Sequence, residues 1–280
     1  MVRDHRKRTG RVSVDSKEPD CQRRSERVQR HAGTTLSGSS SLPSDLLNTT
    51  RPVPVIIKRI VCLANSRKLS GRCIAGRELV DSELVGWIRP VSAREHEEVS
   101  EREREYQNGE DPTVLDVIDV PVLEARPSAF QSENWLLDPN YYWSKVGRLN
   151  PSDLSGFVDN AGPLWLNVGS TIAGRNDEIP VDLANGLTSS LALVRVPELH
   201  LSVFSPGAAF GNSKRRVQAR FALGAHDYWL WVTDPVYERR YLAKENDDYE
   251  LGPSYLTLSL GEPYGGYVYK LVAAIIEEAP

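Results

Sequence analysis

Short apolar runs separated by Gly, Pro and polar turns recur along this chain from Val53 onward. Successive side chains of a strand point to opposite faces, so runs of this length and spacing predict many short β-strands. Many short strands broken by Gly and Pro favour small β-barrels over a single open sheet. The predicted strands are residues 60–64, 72–76, 84–91 and 114–123 in the first half, and 190–196, 199–204, 215–223, 228–233, 255–261 and 267–276 in the second.

The order of these runs predicts a mainly β fold with two small barrels. The first is expected over residues 53–148 and the second over 187–280, with the turn-rich residues 149–186 as a connector. Residues 1–52 combine charge with Ser/Thr/Gly clusters and almost no apolar periodicity, which predicts a disordered basic tail. Two interpretations of the tail stay open: a basic arm that helps a partner to bind, or an extension without function.

A helix is predicted within the first barrel, over residues 93–106. Ser92 is placed to cap it, and Glu95 at the third helical position would complete a capping box. Glu98 and Arg102 form a favourable pair four residues apart.

The charge of the chain is unevenly distributed. Residues 1–50 carry ten Lys/Arg and six Asp/Glu, whereas the other 230 residues carry 24 and 32. An acidic protein is a poor non-specific binder of nucleic acid, because attraction to the phosphates drives non-specific binding. Any polynucleotide contact is therefore expected to use a local basic patch.

The cysteine content and the apolar runs predict a cytoplasmic protein without a membrane segment. The three cysteines have no CxxC spacing, which argues against a disulfide framework or a zinc site. No apolar run approaches the ~18 residues of a membrane span, and the Arg-rich N-terminus lacks the apolar core of a secretory signal. We expect no metal and no cofactor.

Three groups of short segments follow one another along the chain. They are CLANSRK (62–68), GRCIAG (71–76) and GWIRPVS (86–92); then QSENW (131–135) with Trp143; then VTDP (232–235), LSLGEPY (258–264) and YKLVAA (269–274). Together they resemble a family of bacterial proteins described as carrying a dual OB-fold domain, over roughly residues 55–278. The resemblance implies two OB-like barrels and a nucleic-acid or nucleotide ligand, in a bacterial defence setting. It implies no catalytic residues.

The run 86–92 is the strongest candidate for a ligand site. If it is a strand, Trp87 and Arg89 share one face while Ile88 points to the core. A stacking surface beside a cation suits a base or a nucleotide. Glu133 and Asn134 could read a base edge. The predicted ligand-binding residues are Arg67, Lys68, Arg72, Trp87, Arg89, Glu133, Asn134, Trp143 and Lys145.

Each candidate also has a structural interpretation that the sequence leaves open. Trp is usually largely buried, so Trp87 and Trp143 could be core residues. Arg67 and Lys68 could be ordinary turn residues. The pair at 133–134 could tie down a strand end through backbone hydrogen bonds.

The predicted function is non-catalytic binding of nucleic acid or a nucleotide-like ligand. One alternative is a metal-dependent enzyme acting on nucleic acid, with Asp234, Glu238 and Lys270 around Mg²⁺. No D-x-D or E-x-K spacing supports it. Another is an adaptor whose exposed aromatic residues bind a partner protein.

Overall fold

The computed structural model describes residues 21–24, 55–159 and 162–278 of the chain. The rest of the predicted tail, residues 1–20 and 25–52, lies outside these ranges. Residues 21–24 lie against the first barrel, where Arg23 forms an antiparallel bridge with Tyr141.

The first sheet is closed on itself. Its strand order is β1-β2-β3-β5-β4-β6, and β1 also pairs with β4. The pair β3–β5 is parallel, and all other pairs are antiparallel. Its elements are β1 (Ile56–Lys68), β2 (Gly71–Val80), β3 (Glu83–Val91), α1 (Glu101–Arg104), β4 (Asp116–Ala125), β5 (Asn134–Leu137) and β6 (Ser144–Arg148).

The second sheet follows a similar strand order along an open path. Its strand order is β12-β9-β10-β11-β14-β13-β8, with β7 attached to β14 and with β11–β14 as the parallel pair. The consecutive strands β8 and β9 together take the place that β1 has in the first sheet. Its elements are β7 (Glu178–Pro180), α2 (Val181–Ala184), β8 (Leu191–Val196), β9 (Leu199–Phe204), β10 (Arg216–Leu223), β11 (His226–Val232), α3 (Pro235–Leu242), β12 (Asp248–Leu251), β13 (Ser254–Leu260) and β14 (Tyr267–Glu277).

The two sheets confirm the prediction of a mainly β chain with two OB-like units. Strand β7 and helix α2 fall in the stretch predicted as the connector, which also contains a 3-10 helix at Pro151–Gly156.

The helix predicted over residues 93–106 is wrong in its extent. Only Glu101–Arg104 is α-helical. Its cap is Ser100, whose backbone N–H and hydroxyl both donate to Glu103 Oε2, at 2.9 and 2.6 Å. The backbone of Val99 pairs with Arg72 of β2 through two hydrogen bonds of 2.9 Å, and this pairing holds the preceding residues out of a helix.

The two barrels share a hydrophobic core at their contact, in addition to the separate core inside each. Val61 and Leu63 of β1 pack with Leu193, Tyr255 and Ile276 of the second barrel. A second cluster consists mainly of alanines, whose small side chains allow the backbones to approach closely: Ala64 and Ala75 from the first barrel, and Ala273 and Ala274, with Leu191, from the second. The outer face of β1–β2–β3 is therefore covered by β13 and β14.

An irregularity in β1 supports this contact. The register of β1 shifts between Cys62 and Ala64, as at a β-bulge. A bulge re-aims the side chains around it, so the consecutive residues Leu63 and Ala64 both reach the second barrel while Cys62 stays inside the first. The hydroxyl of Thr257 on β13 donates to the Leu63 carbonyl at 2.6 Å.

Truncation of this shared core should destabilise both barrels together. Leu63→Ala removes a fully buried side chain, and we expect a loss of about 2–5 kcal/mol in the free energy of unfolding. Urea denaturation followed by tryptophan fluorescence should show one transition at lower urea. Val85→Ala, at a side chain 42% exposed, is the control and should change little. Two separate transitions, with only one moved by Leu63→Ala, would contradict a shared core.

Candidate functional site

The alternation predicted for residues 86–92 is correct, but the face that it defines is covered. Ile88 lies inside the first barrel, and Trp87 and Arg89 point outward. The second barrel lies on that side. Trp87 is half-buried against the shared core, with the Arg77 guanidinium 4.6 Å from its ring centre. Arg89 is only 4% exposed. The expected open stacking surface beside a cation is thus absent from this strand.

Arg89 belongs to a buried polar network that joins the two barrels. Its Nη2 donates to Ser190 Oγ at 2.7 Å and lies 3.2 Å from Glu133 Oε1. The Ser190 hydroxyl in turn donates to the same carboxylate. Arg89 and Glu133 come from the first barrel and Ser190 from the second, so the network fixes their relative position. The Arg89 Nε has no hydrogen-bond partner among the described residues.

The remaining first-barrel candidates lie in separate places. Asn134 is fully buried, and its amide donates to Gln131 Oε1 at 3.1 Å. Trp143 is 1% exposed in the barrel interior, where no ligand can stack on it without opening the barrel. Lys145 pairs with Asp116 at 2.8 Å. Arg72 is half-buried on β2, and burial lowers the pKa of its guanidinium.

Only three of the predicted residues line a common cavity. Arg67, Lys68 and Arg89 border a cleft of about 370 Å³ between the barrels. Arg67 makes two hydrogen bonds to Glu238, at 3.0 and 2.9 Å, and this pairing raises its pKa. Lys68 lies 2.6 Å from Glu262. The cations at the rim of the cleft are thus already paired with carboxylates of the second barrel.

The outer face of the second barrel carries a cluster of stacking groups. Val217, Ala219 and Phe221 of β10 point into the core, so the alternate residues Arg216, Gln218 and Arg220 point outward. Gln218 is nevertheless fully buried, because it donates to the Ala173 carbonyl at 2.6 Å and the segment around Ala173 covers it. The same alternation turns two tryptophans of β11 outward. The tryptophan–arginine face consists of Phe204, Arg216, Arg220, Trp229 and Trp231, all of them half-buried.

The side chains of this face are stacked on one another. The Arg216 guanidinium lies 3.9 Å from the centre of the Trp231 ring, and that of Arg220 lies 4.9 Å from Trp229. The rings of Phe204 and Trp231 are 5.8 Å apart and tilted. Flat rings between guanidinium groups offer a base both a stacking surface and a cation.

Two loops with exposed aromatic tips border this face. The β9–β10 loop carries Phe210, 87% exposed, and the β13–β14 loop carries Tyr264, 79% exposed. Tyr264, Trp231 and Arg216 line a groove of about 850 Å³. Tyr264 also lines the cleft between the barrels, so that the groove and the cleft adjoin.

Charge differs between the two ends of the face. Among the described residues, no carboxylate lies within ion-pair distance of Arg216. Burial lowers the pKa of Arg216, and the neighbouring charge of Arg67 adds to the effect. At the other end, Arg220 is 3.5 Å from Asp248 and Arg175 is 3.5 Å from Asp227. Arg216 is therefore the cation best placed to meet a phosphate.

This face was missed by the sequence analysis, although part of the signal was visible. Arg216 and Arg220 alternate with apolar residues in a predicted strand, and Trp229 and Trp231 are two residues apart in the next. Each pattern marks residues on one face of a strand. Their adjacency depends on the register, which pairs Arg220 with Trp229 and Gln218 with Trp231.

The residues considered for a metal-dependent enzyme do not form one site. Asp234 caps α3 and accepts from the backbone N–H groups of Val236 and Ile275, at 2.9 and 3.1 Å. Glu238 pairs with Arg67. Lys270 is buried and donates to the Leu166 carbonyl and to Asn167 Oδ1, both at 2.8 Å.

In the described part of the chain, no group of three His, Cys, Asp or Glu side chains is arranged to hold a metal ion. Nor does any helix there have the length and apolar character needed to cross a membrane.

Comparison with known proteins gives one match. The family described as the dual OB-containing domain matches residues 58–275, which include nearly all of both barrels. No curated protein and no solved structure matches the chain.

Breaking the buried network should cost stability. Glu133→Gln leaves the Arg89 guanidinium buried without its counter-charge, and we expect a loss of about 3–5 kcal/mol in the free energy of unfolding. The double variant Arg89→Met/Glu133→Leu removes both charges and should lose much less. Urea titration of the three proteins measures this, and a loss from Glu133→Gln no larger than that of the double variant would contradict the role of the network.

Lys270 should make stability depend on pH. Burial lowers the pKa of this lysine from 10.5 to about 7. Between these values the unfolded chain binds more protons than the folded one, so the free energy of unfolding should increase as pH rises from about 7 toward 10. Lys270→Met should flatten this increase in thermal melts across that range. An equal slope in both proteins would show that the lysine stays protonated when folded.

Proposed function

This chain belongs to the family of dual OB-containing domains, and on that premise we propose that it binds single-stranded nucleic acid or a nucleotide-like ligand without catalysis. The proposed site is the tryptophan–arginine face of the second barrel. The observation that carries the proposal is the stack of Arg216 on Trp231, 3.9 Å apart, in a groove bordered by Tyr264.

The position of the face supports this function. OB barrels bind oligonucleotides on an outer sheet face and with its flanking loops. The second barrel presents aromatic side chains in both places, with Trp229 and Trp231 on the sheet and Phe210 and Tyr264 at the loop tips. Every base has a π-face, so stacking tolerates any sequence. These aromatic side chains therefore favour a ligand that is held by stacking of its bases, whatever the base sequence.

The acidic body limits the number of phosphate contacts. The chain carries a net charge of −4, and carboxylates lie beside Arg220 and Arg175. Stacking rather than phosphate attraction would then supply most of the affinity. Duplex DNA and duplex RNA keep their bases stacked inside, so neither can use the exposed rings.

The cleft between the barrels extends the proposed path. Arg67 and Lys68 line it, and Tyr264 belongs to both the cleft and the groove. A single nucleic-acid strand that leaves the face at Trp231 would reach these two cations. A phosphate could bind them only by replacing Glu238 and Glu262 as their partners.

The setting of this function is also a proposal. The absence of a CxxC pair favours a reducing cytoplasm, and the resemblance of the sequence motifs favours a bacterial defence system. In such a system a non-catalytic binding module would act by recognising nucleic acid or a nucleotide signal.

Loss of the stack should weaken binding of an oligonucleotide. Trp231→Ala removes the ring, and we expect affinity for labelled oligo(dT) to fall about 5- to 150-fold, the equivalent of about 1–3 kcal/mol per stacked base. Trp231→Phe should retain part of the affinity. Fluorescence anisotropy at fixed salt measures the series.

Salt dependence separates the roles of the ring and the cation. Arg216→Ala should lower affinity and reduce the slope of log K against log salt by about 0.7, the value for one lost phosphate contact on a single strand. Arg195→Ala is the matched control, because Arg195 pairs with Glu278 on another strand, away from the face. Equal affinities for the wild type, Trp231→Ala and Arg216→Ala would refute the assigned face. Binding of a co-purified protein in place of nucleic acid would favour an adaptor.

A further inference from the structure

Residues 21–24 add a short extended segment to the first barrel. The Arg24 N–H donates to the Asn140 carbonyl at 2.7 Å, and the Tyr142 N–H donates to the Gln22 carbonyl at 3.0 Å. Arg23 and Tyr141 form an antiparallel bridge between these two bonds. The segment thus pairs with the loop between β5 and β6 through one isolated bridge, with main-chain bonds like those by which extended peptides bind sheet edges.

The Arg24 side chain fills a socket beside this segment. Its Nη1 lies 2.6 Å from Glu105 Oε1, its Nε donates to the Tyr141 carbonyl at 3.1 Å, and its Cζ is 4.0 Å from the centre of the Tyr142 ring. Only 8% of the side chain is exposed. An ion pair, a carbonyl and a ring face together select arginine over lysine, because the planar guanidinium can use all three. We call Glu105, Tyr141 and Tyr142 the arginine socket.

The residues on the N-terminal side of Arg24 also differ in their contacts with the barrel. The Gln107 amide donates to Gln22 Oε1 at 2.5 Å. Arg23, next to Arg24, is exposed to solvent. Of the two adjacent arginines, Arg24 therefore fills the socket and Arg23 remains exposed to solvent.

The first barrel does not need this segment to close. Its ring of β1, β2, β3, β5 and β4 is complete from residues 56–137. Thirty residues separate Arg24 from Val55, the first described residue before β1. The socket is thus part of the barrel, whereas the segment occupies it as a tethered ligand.

We infer that the first barrel carries a peptide-binding site for an extended segment with a buried arginine, and that residues 21–24 fill this site in cis. A second chain with an arginine in an extended segment would have to displace residues 21–24, which belong to the same polypeptide as the socket. This inference does not depend on the proposed nucleic-acid site, which lies on the other barrel.

Hydrogen exchange of the full chain tests the cis contact. Arg24→Ala should speed exchange of the Tyr142 amide at least tenfold, because its acceptor on Gln22 is released. Arg23→Ala, the matched control at the exposed neighbour, should leave it unchanged. Equal exchange in the two variants would overturn the role of the socket.

A peptide completes the test. A labelled synthetic peptide of residues 17–28 should bind the Arg24→Ala protein at least tenfold more tightly than the wild type, whose site is filled. The same peptide with alanine in place of Arg24 should bind neither. Equal binding of the peptide to both proteins would refute cis occupancy, and so would a concentration-dependent dimer in which the segment exchanges between copies. Oligonucleotide affinity should be the same in the Arg24→Ala protein, which separates failure of this inference from failure of the proposed function.

Discussion

The arrangement of the whole chain depends on the packing of the second barrel against the outer face of the first. Apolar residues of β1 and small residues of β2 and β14 form the contact, and the network of Arg89, Glu133 and Ser190 lies within it. Apolar burial supplies the favourable free energy, while a buried ion pair contributes less to stability than to a defined orientation. The contact decides which surfaces are left for a ligand.

Two barrels of similar strand order consequently expose different surfaces. In the first, the outer face of β1–β2–β3 is used to hold the second barrel. In the second, the corresponding face of β9–β10–β11 keeps Trp229 and Trp231 partly exposed, while residues 173–175 cross part of it. The first barrel instead offers its β6 side, where Arg24 lies in its socket beside Glu105. The charges of the two surfaces differ: Arg216 has no carboxylate within ion-pair distance among the described residues, whereas Glu105 supplies the carboxylate that pairs with Arg24.

Local patterns predicted most strands and the correct alternation of Trp87, Ile88 and Arg89. They could not show that a second barrel covers the face of Trp87 and Arg89, because that contact joins residues far apart in the chain. The extent of the helix was predicted wrongly for a related reason. Both Ser92 and Ser100 are followed by Glu three residues later, the sequence pattern of a capping box, and only the pairing of Val99 with Arg72 decides which of them caps the helix. The tryptophan–arginine face could have been proposed from two strands read separately, but their register is a tertiary property. Residues 21–24 carry no strand pattern of their own, so their binding could not be foreseen.

The central claim is that the ligand binds the tryptophan–arginine face of the second barrel and not the covered face of the first. Hydrogen-exchange footprinting of the full chain with and without oligo(dT) tests it most directly. We predict slower exchange in the loops at 205–215 and 261–266 and along β10 and β11, with no change at 85–91 or 131–145. Protection confined to residues 85–91 and 131–145 would contradict the account.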